Sequence, residues 1–482
     1  MKAEAIVYFL QWTVGFLSIA LTLGTAGHAL MFKRDPRTSW GWIAVCLLFP
    51  LIGSLLYLLF GINRVQTRAK QLTHRLPFFH SFVHKRPEIP LVYHSQAGVA
   101  PEDWKIACIS DMVTRRPLMP GNRIEALHNG EEAYPAMLEA IEGAGRYVYL
   151  STYILEANRT GRQFVDALAR ARTRGADVRV LLDGIGELYS FPRGGRLLKR
   201  QGVRFARFIP PRLMPPSVHV NLRNHRKILV TDGRTAFTGG MNIGDRHLAG
   251  DEDNPSRVID LHFRVTGPVV RQIEEVFLED WTFATGEDKA PDPGDPAPAG
   301  NAFCRAIVDG PGEDLDKLAM ILVGAVSAAQ RQILIMTPYF LPSREMVGAL
   351  QAAALRGVEV AVLLPGRNNL PFVHWATRNM LWELLQWGIR IYYQPPPFVH
   401  TKLFVVDGRY AQIGSANLDP RSLRLNFELA VELFDSGVVG DLAAHVESCR
   451  DRSREILLEE VDGRPFPVKL RDSLAWLFSP YL

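Results

Sequence analysis

His225-Arg-Lys227, Asp232 and Gly239-Gly-Met-Asn242 return as His400-Thr-Lys402, Asp407 and Gly414-Ser-Ala-Asn417. Each set reads His, one residue, Lys, four residues, Asp, six residues, Gly, two residues, Asn, and the copies lie 175 residues apart at every position. One His-x-Lys is noise; five positions repeated at one spacing are a duplication. His and Lys two apart on a strand project from the same face. Two such copies facing each other put two imidazoles and two ammonium groups around one point, which suits a phosphodiester. Lys227 and Lys402 would neutralise its nonbridging oxygens, and Asn242 and Asn417 would add hydrogen bonds. One histidine attacks phosphorus and the other protonates the departing alkoxide. No metal-ligand cluster accompanies the pair, so neither metal nor cofactor is expected. Asp232 and Asp407 complete the candidate catalytic set. Gly233 and Gly408 follow them directly, which favours turns and a structural role. Each histidine needs a carboxylate to fix its tautomer. The candidates open the strands after each motif: Asp260 in Asp260-Leu-His-Phe-Arg-Val265 and Glu428 in Glu428-Leu-Ala-Val-Glu-Leu433.

The repeat extends outward from these motifs. Tyr147-Val-Tyr-Leu-Ser-Thr152 reads as a strand, Phe164, Leu168 and Ala171 as one helix face, and Val178-Arg-Val-Leu-Leu182 as the next strand. In the second half Ile333-Leu-Ile-Met336, a helix through Val347, Leu350 and Ala354, and Val358-Glu-Val-Ala-Val-Leu-Leu364 follow the same order. Thr337-Pro-Tyr339 echoes Ser151-Thr-Tyr153, and Gly388-Ile-Arg-Ile391 matches Gly202-Val-Arg-Phe205. Strand–helix–strand units predict a sheet of substantial parallel character covered by helices on both faces. The fold class is α/β: two pseudo-symmetric α/β/α halves with the active site between them. Residues 286–300 (GEDKAPDPGDPAPAG) read as a linker.

The N-terminus carries two long runs without Asp, Glu, Lys or Arg, residues 5–32 and 38–63. Each exceeds the roughly 20 residues a spanning helix needs, so a transmembrane helical hairpin is expected. Trp40 and Trp42 stand where interfacial anchors would be placed. The short loop carries Lys33, Arg34 and Arg37, against Lys2, Arg64, Arg68, Lys70 and Arg75 on the other side. Three against five places the loop outside and the large C-terminal part in the cytoplasm. The expected organisation is 1–64 hairpin, 65–120 connecting region, 121–285 first half, 286–302 linker, and 303–482 second half with a C-terminal tail. In 482 residues, Lys+Arg minus Asp+Glu is 55 − 50 = +5, too little for a dedicated nucleic-acid binder. Cys46, Cys108, Cys304 and Cys449 show no zinc or disulfide spacing.

Asn224-His-Arg-Lys-Ile228 with Gly239-Gly-Met-Asn-Ile-Gly-Asp245, and Asn417-Leu-Asp-Pro-Arg-Ser422 with Asn426-Phe-Glu428, resemble the phospholipase D ("HKD") superfamily. Within it they are similar to the bacterial cardiolipin synthase family, as is the hairpin ending Leu58-Leu-Phe-Gly-Ile-Asn-Arg64. The resemblance covers most of the chain and is weakest over 65–120 and 286–300. It implies a phospholipase D-like fold in each half and a multi-pass protein of the bacterial inner membrane. It also implies phosphatidylglycerol as the substrate partner, with no nucleic acid. One phosphatidylglycerol would be attacked at phosphorus, releasing glycerol; the hydroxyl of a second would then attack the phosphatidyl-histidine to give cardiolipin. By the superfamily pattern His225 is the nucleophile and His400 the general acid/base, an assignment the pseudo-symmetric residues alone leave open. A membrane-anchored hydrolase and, less favoured, a nuclease of the same superfamily are the alternatives.

The halves differ in the approach to the motif histidine: Phe205 to His225 is 20 positions and Ile391 to His400 is 9, so the extra residues lie in the first half. The extra loop, Arg207-Phe-Ile-Pro-Pro-Arg-Leu-Met-Pro-Pro-Ser217, is apolar and basic, either a surface loop or a wall of a lipid entrance. The aromatic stretch from Leu370-Pro-Phe-Val-His-Trp375 to Leu381-Trp-Glu-Leu-Leu385 reads first as a covering helix. Leu474-Ala-Trp-Leu-Phe-Ser-Pro-Tyr-Leu482 is a candidate to rest on a membrane surface.

Overall fold

The computed structural model describes residues 2–33, 36–61, 99–213, 216–217, 222–288, 291, 294–311 and 316–479. Arg34, the flanking cations after residue 61, part of the 207–217 loop and the last three residues lie outside them. The chain forms two units, Met1–Leu72 and Thr73–Leu482.

In the first unit Lys2–Phe32 is one helix of 31 residues. Its stretch Gln11–Phe32 is the one helix among the described residues long and apolar enough to cross a bilayer. The second apolar run is not a second continuous span. It breaks into Pro36–Leu48 and Pro50–Leu56, followed by a π turn at Tyr57–Gly61. Pro50 lacks the N–H that would continue the helix and bars Phe49 from helical angles (φ −129°, ψ 74°). Polar contacts give the direction of each piece. Ser39 Oγ donates to Ala29 O at 3.1 Å, so Pro36–Leu48 runs back along the first helix. After the break the order reverses: Thr22 Oγ1 donates to Pro50 O (3.0 Å), Thr25 Oγ1 pairs with Ser54 Oγ (3.0 Å), and His28 Nδ1 with Tyr57 OH (2.7 Å). Lys33 Nζ reaches Gly61 O. The run enters, turns at Pro50 and returns to the level where it began. Trp40 faces outward, whereas Trp42 packs on Tyr57 (5.3 Å) inside the unit and is no free anchor.

The second unit is built on one 15-stranded sheet. The first half contributes, from its edge inward, Phe205–Phe208, Asp177–Asp183, Tyr147–Thr152, Ile228–Thr231, Thr235–Gly239, Leu261–Thr266 and Met119–His128. There it meets Ala302–Asp309, Glu428–Phe434, Tyr410–Gly414, Leu403–Val406, Gln332–Met336, Glu359–Pro365, Arg390–Gln394 and Arg454–Ile456 of the second half. The halves therefore join edge to edge through the antiparallel pair Met119–His128 and Ala302–Asp309. Within this sheet parallel pairing joins Tyr147–Thr152, Asp177–Asp183 and Phe205–Phe208 in the first half, and Gln332–Met336, Glu359–Pro365 and Arg390–Gln394 in the second. The expected parallel character holds there and fails across the centre, where hairpins such as Ile228–Thr231/Thr235–Gly239 dictate antiparallel ladders.

Strand alternation assigns the faces. Tyr147 and Tyr149, with Leu334 and Met336, face a core shared by both halves and covered by helices Val269–Thr285 and Ser436–Asp451. Val148 and Leu150 face a first-half core under helices Asn129–Gly143 and Arg159–Thr173. Ile333 and Ile335 face the corresponding second-half core.

Two expected boundaries move. Helix Trp104–Thr114, assigned to the connecting region, belongs to the second half, packing on helix Lys317–Ala328. It is clamped there by fully buried Arg305, which pairs with Asp111 and, at 2.9 Å, with Glu432; Ser110 Oγ also donates to Glu432 (2.6 Å). The linker is laid on the first half, with Gly294 N–H on Tyr147 OH (3.0 Å) and Ala299 N–H on Gly121 O (2.8 Å). The aromatic stretch is a covering helix, Pro371–Met380, held to the C-terminal helix Phe466–Trp476 by a two-bond Arg378–Asp472 pair (2.7 and 2.8 Å).

Replacing Arg305 by Ala would strand two carboxylates in the interior. Breaking a buried pair by removing one partner costs about 3–5 kcal/mol. Arg305→Ala should lower the thermal unfolding midpoint of the purified protein clearly; an unchanged midpoint would remove the clamp.

Candidate active site

Each motif histidine lies just before its strand, in a segment with no hairpin partner in its own half. The missing backbone bonds come from the other half. His225 N–H donates to Phe427 O (2.9 Å) and Phe427 N–H to Arg223 O (2.8 Å). His400 N–H donates to Ile259 O (2.7 Å), extending the parallel ladder that pairs Phe398 with Val258 and Val399 with Ile259. Phe427 and Ile259 immediately precede the two candidate carboxylates. The ladders therefore cross: His225 Nδ1 meets Glu428 (3.0 Å), and His400 Nδ1 meets Asp260 (2.8 Å). Sequence reasoning named all four residues but not the crossing. With Nδ1–H committed to a carboxylate, Nε2 of each imidazole keeps its lone pair for chemistry.

Further ties hold His225. Asn224 N–H donates to Asp183 (2.9 Å), and Asn224 Nδ2 and Arg226 Nη1 both bind Asp280 (2.9 and 2.5 Å). Ser415 Oγ (2.5 Å) and Asn426 Nδ2 (3.2 Å) donate to Glu428. Position 240, equivalent to Ser415, is glycine because a Cβ there would come within 2.5 Å of the Asp260 carboxylate. Asp183 and Asp280 stand outside the repeated motif, so spacing alone gave no signal for them. Ser415 lies inside it and was legible.

The motif aspartates do not stand at the histidines. Asp232 and Asp407 occupy turns at φ 52° and 54°. Asp232 accepts the N–H groups of Gly145, Arg146 and Tyr147 (2.8–2.9 Å), and Asp407 those of Gln330, Arg331 and Gln332 (2.7–2.9 Å). Their place in the catalytic set is corrected to staples between each motif hairpin and the start of strands Tyr147–Thr152 and Gln332–Met336. These bonds also set the register between halves at 185 residues (147 to 332). The Tyr153–Tyr339 echo is therefore one position out of register, although both rings face the site: Tyr153 lies 5.4 Å from His225 and Tyr339 6.4 Å from His400. Each asparagine ties a loop through one end of its amide. Asn242 Oδ1 accepts Ile154 N–H (3.2 Å), and Asn417 Nδ2 donates to Ser422 Oγ (3.1 Å).

Both lysines are buried. Lys227 Nζ donates to His225 O at 2.7 Å, and Lys402 Nζ lies within 3.0 Å of both His400 ring nitrogens. Burial, opposed by Glu428, lowers Lys227 to about 7, and burial, opposed by Asp260, lowers Lys402 to about 8. The two centres share one field. Burial lowers His225, as do Lys227 and Lys402, while Glu428 opposes them. Burial, then Lys402, Lys227 and His225, hold His400 well below the usual imidazole value. The carboxylates differ. Burial raises Glu428, but His225, Lys227 and Ser415 outweigh it and hold it below the normal range. Burial wins at Asp260, which is raised despite Lys402 and His247.

Two His–Lys pairs, each completed by the other half and sharing one field, define a phospholipase D-like phosphodiester-transfer enzyme. The family described as "Cardiolipin synthase, PLD-like domain" matches residues 137–281 and 322–450, and "Phospholipase_D-nuclease N-terminal" matches residues 20–61. A cardiolipin synthase of Geobacillus kaustophilus is 32% identical over 477 residues, 97% of this chain and 94% of that one. The major cardiolipin synthase of Bacillus subtilis is 30% identical, covering 93% and 95%. The phosphatidylserine synthase structure from Haemophilus influenzae superposes with TM-score 0.61 at 17% identity, over 78% of this chain and all of that one, a likeness of fold. The chain belongs to the cardiolipin synthase family of phospholipase D-like enzymes, phosphatidyltransferases of phospholipid biosynthesis.

The lysine values fix a pH dependence. A lysine loses its proton as pH rises through its pKa, so free enzyme sheds its phosphate-neutralising charge between about 7 and 8. kcat/KM should therefore fall on the alkaline side of that window. A bound phosphodiester anion favours the charged lysines, so the alkaline limb of kcat should lie at higher pH. Coincident limbs would contradict the assignment.

Proposed function

We propose that this enzyme makes cardiolipin from two molecules of phosphatidylglycerol. The observation that carries the reading is the pair of crossed His–carboxylate contacts, which leave His225 Nε2 open for attack and His400 Nε2 against Lys402 Nζ (3.0 Å). In the first step His225 Nε2 bonds to phosphorus as the P–O bond to glycerol breaks, and His400, entering this step as the imidazolium with its second proton on Nε2, gives that proton to the departing oxygen and is left neutral. In the second step the primary hydroxyl of another phosphatidylglycerol bonds to phosphorus, the P–N bond breaks, and His400 takes the proton. Glu428 favours His225 as nucleophile: held ionised, it stabilises the positive charge an imidazole gains on phosphorylation. The weakly basic His400 suits the proton-shuttling role.

Purified enzyme with phosphatidylglycerol should yield cardiolipin and glycerol by lipid mass spectrometry; phosphatidic acid alone would make it a hydrolase. With a p-nitrophenyl phosphodiester, whose leaving group needs little proton donation, His400→Ala should trap acid-labile label and His225→Ala none. The opposite pattern exchanges the two roles.

The membrane unit supports a finer location. A second run that returns at Pro50 brings Gly61 to the level of Lys33. In the sequence Lys33, Arg34 and Arg37 then add to Arg64, Arg68, Lys70 and Arg75, against Lys2 before the first span. Seven cations against one favour the cytoplasm for that cluster and for the catalytic unit that follows it. On a cysteine-free background, a cysteine at position 3 should react with an impermeant thiol reagent added to intact cells, and one at position 36 should not. Labelling at 36 would restore the two-span hairpin.

A further inference from the structure

The 175-residue spacing continues past the asparagines to Arg246 and Arg421. Both carry a buried Nε with no hydrogen-bond partner. Their surroundings differ. Arg246 Nη2 is paired with Glu156. Backbone contacts identify the residue equivalent to Glu156: Glu156 N–H donates to Ile243 O (2.9 Å) and Leu341 N–H to Leu418 O (2.8 Å). The carboxylate that neutralises Arg246 is thus replaced by a buried leucine in the second half. Among the described residues no carboxylate lies within ion-pair distance of the Arg421 guanidinium. Asp419 is nearest in sequence, but its carboxylate caps the following turn through Ser422 N–H (2.7 Å). Arg421 O accepts Asn426 N–H (2.9 Å), and Asn426 Nδ2 donates to Glu428 (3.2 Å), the carboxylate on His225. The Arg421 charge is felt by Asp419 and by Tyr153 and Tyr339, the rings beside the two histidines. A guanidinium with no ion pair among the described residues and a spare buried donor therefore stands next to the Glu428–His225 centre, whereas the equivalent arginine of the other half is paired.

We infer that Arg421 binds the phosphate of the acceptor lipid, while the donor phosphate occupies the His–Lys centre. The inference rests on the proposed cardiolipin synthesis and adds its acceptor subsite. In the product two phosphates are joined through one glycerol, so the acceptor's own anionic phosphate must be held only three carbons from the hydroxyl that attacks. A guanidinium recognises phosphate oxygens through paired N–H donors. Arg421 acts as a specificity residue: it selects a phosphate-bearing alcohol over water or an uncharged alcohol as acceptor of the phosphatidyl group.

The test gives wild type, Arg421→Gln and Arg421→Lys one donor, phosphatidylglycerol in detergent micelles, with ethanol present as an uncharged competing acceptor. Cardiolipin, phosphatidylethanol and phosphatidic acid are quantified together. A charge-assisted hydrogen bond is worth about 10- to 100-fold. Arg421→Gln should lower the ratio of cardiolipin to phosphatidylethanol by about that factor while phosphatidylethanol and phosphatidic acid persist, and Arg421→Lys should recover part of it. An unchanged ratio, or an equal fall in all three products, overturns the subsite. Absence of cardiolipin from the wild type would instead sink the reading of the whole enzyme.

Discussion

Each catalytic imidazole is oriented by a carboxylate that its own half does not supply. The crossing follows from backbone demand. The segments before the two motif strands need hydrogen-bond partners, and they find them in the segments that end in Glu428 and Asp260 of the opposite half. Once the ladders form, the carboxylates arrive at Nδ1 without further adjustment. The edge-to-edge sheet, the core shared by both halves and the paired helices over it hold these two short ladders in register. Duplication here is a requirement of the chemistry, because one half alone has a histidine without a tautomer.

The pseudo-symmetry is broken where two sequential steps need different groups. Glu428 is surrounded by donors, Ser415 Oγ and Asn426 Nδ2 among them, and stays ionised. Asp260 has a glycine where Glu428 has that serine and is raised by burial. Both lysines donate to the backbone oxygen of their own histidine, and Lys402 also presses on the ring of His400. Two histidines of one origin are thereby given different basicities, as one nucleophile and one proton carrier require.

Much of this was legible in the sequence because the chemistry is repeated: spacing found both histidines and both lysines, and the start of the strand after each motif supplied both carboxylates. Gly233 and Gly408 already pointed to turns at Asp232 and Asp407, although the spacing kept both in the candidate catalytic set. Asp232 and Asp407 are repeated because each half needs the same staple, and repetition does not separate a staple from a catalyst. The crossing was not legible, since pairing between halves depends on which strand edges meet. In the membrane unit Pro50 was visible inside the second run, yet apolar length was read before the proline. The physical order is the reverse, because a missing N–H and a restricted neighbour end a helix whatever its hydropathy.

The two buried lysines are matched in number by Glu428 and Asp260, and that balance governs how the enzyme meets its substrate. A centre whose fixed charges nearly cancel projects little field into solution and gains little from long-range steering of soluble anions. Encounter then depends on confinement. A helix long and apolar enough to cross a bilayer would, once fixed there, search the same two-dimensional sheet as a lipid substrate, where local concentration substitutes for attraction. Nucleotides and free phosphate, however abundant in the surrounding water, are excluded from that search by geometry and need no repulsion to keep them out.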